Sequence, residues 1–224
     1  MFFYNLRRSF LDKAERKLLA EFIYESDAIE GIRDDIELLE RQIVDGKFNG
    51  HAGAMLLLET LARSETDWFV DEEFVCRIQG LITAEQHLKP GGEKLPDKFI
   101  GRYRTVNVLI GGRKCPDHKL IPALMSVLLE EIRKWQKSVK NDSSRHNICT
   151  VADFHFIFET IYPFADGNGR TGRALVWYLF RRAGIKPFIF TAHDRHETYY
   201  RCFEKPVDMR RYFMRKMGLP VCTA

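Results

Sequence analysis

The sequence predicts a mostly helical single domain, residues 1–224, with one small β-hairpin. Two observations predict this class. Apolar residues recur every three or four positions in segment after segment, the period of helices with one buried face. Only one run, 99–112, is instead rich in β-branched and aromatic residues, and it ends in the pair Gly111-Gly112, the mark of a hairpin. A lone strand pair cannot form a large sheet and must lean on helices. A length of 224 residues suffices for one good core, and the 45% apolar share is that of an ordinary globular chain.

In chain order, the spacing predicts a helix over 12–24 with Leu18, Leu19, Phe22 and Ile23 inward. Next comes Glu25-Ser26-Asp27-Ala28-Ile29-Glu30-Gly31, where Gly31 reads as a helix end. Ser26 and Glu30 are four apart and share a helical face. By itself the stretch reads as a helix end with a solvated acid. A charged amphipathic helix over 32–43 aligns Ile32, Ile36, Leu39 and Ile43, with a turn marked by Asp45-Gly46 and Asn49-Gly50. Residues 52–62 are apolar almost all round, hence a buried helix.

Residues 71–86 form another helix, capped by Asp71, stopped by Pro90-Gly91-Gly92, with Phe74, Ile78, Leu81 and Ile82 inward. The hairpin of 99–112 offers an unpaired edge to which a segment of another protein could add. A long helix over 122–139 turns Leu124, Val127, Leu128, Ile132 and Trp135 inward, and 141–147 is loop-like. A helix over 150–161 carries His155, two turns or about 10 Å before Tyr162, as a buried, hydrogen-bonded histidine. Helices over 171–183 and 208–217 follow, the latter basic and amphipathic.

A net charge of +4 with acids and bases interleaved excludes the concentrated basic stripe of a nucleic-acid binder. The runs Arg181-Arg182 and 210–216 read as solvated helix faces. Five scattered cysteines without a Cys-x-x-Cys pair argue against a disulfide framework and for a reducing compartment. His193 and His196 lack further ligands at zinc spacing. No apolar run spans a bilayer, and residues 1–8 lack the order of a secretory signal. A cytoplasmic location is expected, with non-classical export as an effector left open.

The chemistry concentrates in Tyr162-Pro163-Phe164-Ala165-Asp166-Gly167-Asn168-Gly169-Arg170-Thr171-Gly172-Arg173. Apolar segments on both sides make it helix, loop, helix. Glycines leave backbone amides uncovered, and the next helix begins with unpartnered N–H groups and a dipole that favours anions. Arg170 and Arg173, three apart, can project from that first turn. Together these make a polyphosphate site, and Asp166 adds an oxygen ligand suited to magnesium.

This string resembles the signature of the Fic (Fido) domain family, His-x-Phe-x-Asp/Glu-Gly-Asn-Gly-Arg-x-x-Arg. Every defined position matches except the first, where the family has histidine and this chain has Tyr162. The resemblance covers 26–200 and implies an N-terminal helical segment (10–31), a core (50–205) and a C-terminal helix and tail (206–224). It implies transfer of AMP from ATP to a hydroxyl of a target protein; removal of AMP and phosphocholine transfer also occur in the family. Under it, Asp166 holds Mg2+. Gly167, Asn168, Gly169, Arg170, Thr171, Gly172 and Arg173 surround the phosphates. Phe164 pins the loop. Val108, Leu109, Ile110 and Gly111 form a flap that aligns the target segment, and Tyr199 contacts the base. Ser26, Glu30 and Gly31 match the inhibitory Ser/Thr-x-x-x-Glu-Gly/Asn helix of one subclass, whose glutamate pairs with the second arginine, here Arg173. A carboxylate parked there excludes the ATP tail. Tyr162 takes the base position with a phenol that is ionised about one part in a thousand at pH 7. Binding without turnover therefore stays an alternative, and a homodimer stays open.

Overall fold

A computed structural model describes residues 11–46, 50–64, 69–84 and 94–221. The expected turn residue Asn49, the end of the 71–86 helix, the stop at Pro90-Gly91-Gly92, residues 1–10 and Cys222 lie outside them.

Helix α1 (Lys13–Ile29) starts at a capping box: Asp12 Oδ1 accepts from the Glu15 amide at 2.8 Å, and Glu15 returns the bond to the Asp12 amide. It buries Leu19, Phe22 and Ile23 and ends at Gly31, whose φ of +80° a side chain would resist. The helix outruns the expected 12–24 because Ser26, Asp27 and Glu30 find partners far away in the chain. Helix α2 (Ile36–Asp45) starts later than expected because Asp35 caps it. Helix α3 (Gly50–Arg63) is buried nearly all round, and α4 (Glu72–Ala84) begins at the cap Asp71, which accepts from the Phe74 amide.

Helices α5 (Ile121–Ser138), α6 (Ser144–Ile161), α7 (Asn168–Arg182) and α8 (Pro206–Lys216) complete the helical body. Ser143 caps α6, so the helix reaches back into the expected 141–147 loop. Val127 is a correction: it is 66% exposed, because α5 turns Met125, Leu128, Leu129 and Ile132 to the core instead. Arg181 is another: its guanidinium is only partly solvated and pairs with Glu59, which is 2% exposed. Glu59 also accepts from Trp177 Nε1 at 2.6 Å and from Arg63, so this one carboxylate ties α3 to α7. Helix α7 lies at the centre, against α1, α3, α4 and α6.

The hairpin lies at the end of the expected run 99–112 and just past it. Strands β1 (Leu109–Ile110) and β2 (Arg113–Lys114) pair antiparallel around Gly111-Gly112, and 101–108 is irregular. The cause is Arg104. It is 1% exposed and donates to the carbonyls of Tyr162, Val106 and Pro116 at 2.7–2.8 Å. These side-chain bonds replace a ladder. The described cysteines, Cys76, Cys115, Cys149 and Cys202, are free thiols. Among the described residues no helix is long and apolar enough to cross a membrane.

Candidate active site

Helix α6 ends at Tyr162, which has a left-handed φ of 52°, unlike any other described non-glycine residue. Such backbone strain persists only where surroundings enforce it. Here Arg104 Nε holds the Tyr162 carbonyl, and the Arg104 amide donates to the Pro163 carbonyl. Phe164 is fully buried against Tyr103 and Phe158 and pins the turn as expected. Asn168 brackets it: Oδ1 accepts from the Phe164 amide and Nδ2 donates to its carbonyl, both at 2.8 Å. Gly167 caps α7 with φ +78°, and a side chain there would press on Thr83. Asp166 Oδ1 accepts from the Gly167 amide at 2.7 Å. Gln79, from α4, donates to the Asp166 carbonyl and accepts from the Gly101 amide, joining the turn to the segment before the hairpin.

The helix therefore starts at Asn168, three residues before the expected start, which puts Gly169 and Arg170 in its first turn. Arg173 is 1% exposed and takes three bonds from α1 and its cap. Its Nε donates to Ser26 Oγ at 2.9 Å, and its Nη2 donates to the Ser26 carbonyl and to Glu30 Oε1, both at 2.8 Å. The Glu30 side chain keeps 35% exposure, and its carboxylate rests where a Cβ on Gly169 would fall. Burial disfavours the charged Arg173, but the Glu30 charge and its hydrogen bond outweigh this and hold its pKa above the usual value.

Arg170 is handled differently. Its guanidinium lies between Asp27 Oδ1 at 3.8 Å and Asp166 Oδ1 at 3.9 Å. Asp27 is buried and accepts from His51 Nδ1 at 2.9 Å. Burial raises its pKa, yet His51 and Arg170 overcome this and the net shift is downward. Asp34 then carries the proton of the pair: burial, the Asp27 charge and their mutual hydrogen bond push it up to about 7.

Thr171 and Gly172 turn inward, away from the open side of the turn, since each residue rotates about 100° around the helix axis. Thr171 is fully buried, and Gly172 faces His155, Phe158 and Glu159 of α6. Tyr199 is also enclosed, at 2% exposure, and hydrogen-bonds His155 Nε2 at 2.8 Å; Phe190, Phe203 and Tyr212 pack around its ring, so the face a base would need is covered. His155 is the buried, bonded histidine expected, and burial lowers its pKa to about 3. On the hairpin, Leu109 and Ile110 are exposed, and Arg113 anchors it to the Phe203 carbonyl at 3.0 Å.

Tyr162 is a poor proton acceptor. Burial, with Glu159, Glu30 and Asp166 nearby, pushes its phenol further up despite a hydrogen bond from Asn168. Sequence reasoning missed Asp27, Asp34, Gln79, Arg104 and Glu159. Glu159 has one oxygen buried without a hydrogen-bond partner, and burial raises its pKa to about 8. Its place three residues before Tyr162 was the one local signal available.

The family model described as Fic/DOC matches residues 69–180. A protein adenylyltransferase Fic from Aedes aegypti is 30% identical over 194 residues, 84% of this chain and 37% of that protein. The chain thus spans just over a third of that relative's length. Among solved structures, a Fic domain containing signaling protein from Bacteroides thetaiotaomicron superposes with a TM-score of 0.66 at 18% identity, covering 93% of this chain and 90% of that one. The BepC protein of Bartonella tribocorum, solved with bound AMPPNP, superposes with a TM-score of 0.54 at 15% identity, covering 83% of this chain and 89% of that one. Both likenesses concern the fold.

Proposed function

As this chain belongs to the Fic/DOC family, we propose that it is a protein adenylyltransferase, moving AMP from ATP to a hydroxyl side chain of a target protein under restraint by Glu30. The seat of Glu30 is the observation that carries this. A carboxylate oxygen bonded to Arg173 above Gly169 stands in for a phosphate oxygen, which would find the same guanidinium and first-turn amides.

Arg170 and the opening amides of α7 hold the inner phosphates, and Arg173 holds the terminal one once Glu30 withdraws. Asp166, a partly exposed carboxylate beside that site, suits a magnesium ion, whose shell phosphates and water would complete. Bound there, the ion would offset phosphate charge. The target hydroxyl oxygen bonds to the α-phosphorus, the bond to the bridging oxygen breaks, and pyrophosphate leaves against the arginines. Its proton needs an acceptor, and Tyr162 supplies a weak one. Turnover is therefore slow, since a matched base is worth about a hundred- to ten-thousand-fold. The target segment docks beside β1, whose exposed Leu109 and Ile110 offer an apolar edge.

A second function, nucleotide binding without turnover, is favoured by the raised phenol of Tyr162. Mass spectrometry separates the two. The chain is incubated with ATP, magnesium and lysate as given, as Glu30→Gly, and as Glu30→Gly with Tyr162→His. An adduct of one AMP that grows along the series supports transfer. ATP binding with no adduct in the double variant leaves the binding module.

A further inference from the structure

Helix α1 meets both arginines of the turn, and the two meetings differ in kind. Glu30 reaches Arg173 from the rim with a third of its side chain in solvent. It is held at one end and can swing away. Asp27 is 5% exposed and Arg170 is 3% exposed. Asp27 is also gripped from behind, because His51 Nδ1 donates to its second oxygen at 2.9 Å. Asp34, between α1 and α2, hydrogen-bonds the same carboxylate and faces Arg170 as well. A carboxylate enclosed on this many sides cannot leave without stranding a buried charge.

The distance matters too. At 3.8 Å the Asp27–Arg170 pair is a charge contact longer than a hydrogen bond. It orients the guanidinium by charge, from a carboxylate that is itself held in place. Asp166 flanks Arg170 at a similar 3.9 Å from the turn itself. Arg170 is thus aimed before any anion arrives, which lowers the cost of ordering it on binding.

We propose that Asp27 is a positioning residue for the nucleotide phosphates: through its enclosed contact with Arg170 it raises ATP affinity, so α1 carries a brace beside the Glu30 stopper. This role presupposes the nucleotide binding proposed above. It gives two carboxylates on one helix, three residues apart, effects of opposite sign. Losing Asp27 weakens ATP binding, whereas losing Glu30 tightens it.

Calorimetry with ATP and magnesium, and with adenosine as a probe lacking phosphates, tests this in the Glu30→Gly background. Adding Asp27→Asn is expected to weaken ATP by about ten- to a hundredfold, the worth of a charge-assisted contact, and to leave adenosine unchanged. In a chain that also carries Arg170→Ala, Asp27→Asn should change nothing further. Unchanged or tighter ATP binding in Asp27→Asn overturns the proposal, as does an equal loss with and without Arg170, or a parallel loss of adenosine. If Asp27→Asn does not fold by circular dichroism, Asp27→Ser, which removes the charge and leaves space for water beside His51, is read the same way. Glu30→Gly that binds no ATP at all sinks the nucleotide function itself, whereas ATP binding indifferent to Asp27 sinks the brace alone.

Discussion

Arg170 and Arg173 are three residues apart on one helical turn, both nearly inaccessible, and yet they are held in opposite ways. Arg173 is closed by a half-open glutamate that water can receive. Arg170 is backed by Asp27, a carboxylate enclosed away from water. One helix can in this way both restrain a site and build it. A restraint must be removable, so its charge sits at the rim; a support must not be, so its charge is buried and paired from a second side.

The sharpest attack on that contrast is chemical. With Glu30→Gly and Tyr162→His combined, AMP transfer should rise by about a hundred- to ten-thousand-fold over Glu30→Gly alone, read as adduct formed per minute by mass spectrometry. An unchanged rate would mean that the base position does not limit turnover.

Stability comes next. Arg170→Ala leaves Asp27 buried without its arginine and should cost about 3–5 kcal/mol in urea unfolding. Glu30→Gly takes one partner from Arg173, which keeps its two bonds to Ser26, and should cost less, about 1–2 kcal/mol. Equal costs would erase the distinction between the two arginines.

Arg104 links the comparison to the hairpin. Arg104→Lys keeps the charge but cannot reach three carbonyls at once, so it should cost about 1–3 kcal/mol. It should also speed amide exchange across 104–117 more than across α7. Uniform exchange would show that Arg104 does not staple this segment to the turn.

The smallest effect is in pH. Glu159, with its pKa raised to about 8, holds a proton in the folded chain that the unfolded chain releases above the ordinary carboxyl range. Its contribution to stability is therefore full at low pH, falls as pH rises, and levels off above about 8. Asp34 acts in the same direction up to about 7. His155, lowered to about 3, acts oppositely and favours the fold as pH rises toward its ordinary value. Glu159→Gln should flatten the decline between about pH 5 and pH 8 relative to the native chain. An unaltered slope would place the proton elsewhere.

What could be read from the sequence was what is local. The turn of 162–173 and the Ser26 and Glu30 spacing each lie within a few helical turns, so periodicity and glycine placement bring them into view. The Ser26–Arg173 contact spans 147 positions, and only the family resemblance suggested a tie between those segments. Asp27, His51 and Asp34 look like ordinary polar residues in or beside helices, and nothing in their spacing marks them as one cluster behind Arg170. The hairpin was legible in kind and in its glycine turn but was drawn too early in the chain, because a buried arginine holds 101–108 in an irregular path. Val127 was assigned to the wrong face of α5 because several apolar faces fit the period and tertiary packing chose among them.

Under the proposed function, Glu30 and a nucleotide phosphate compete for Arg173. The most direct measurement is calorimetry of ATP with magnesium on the native chain and on Glu30→Gln, which keeps the shape and removes the charge, with adenosine as control. Tighter ATP binding in Glu30→Gln with adenosine unmoved is the predicted result; equal ATP affinities in the two chains would contradict it.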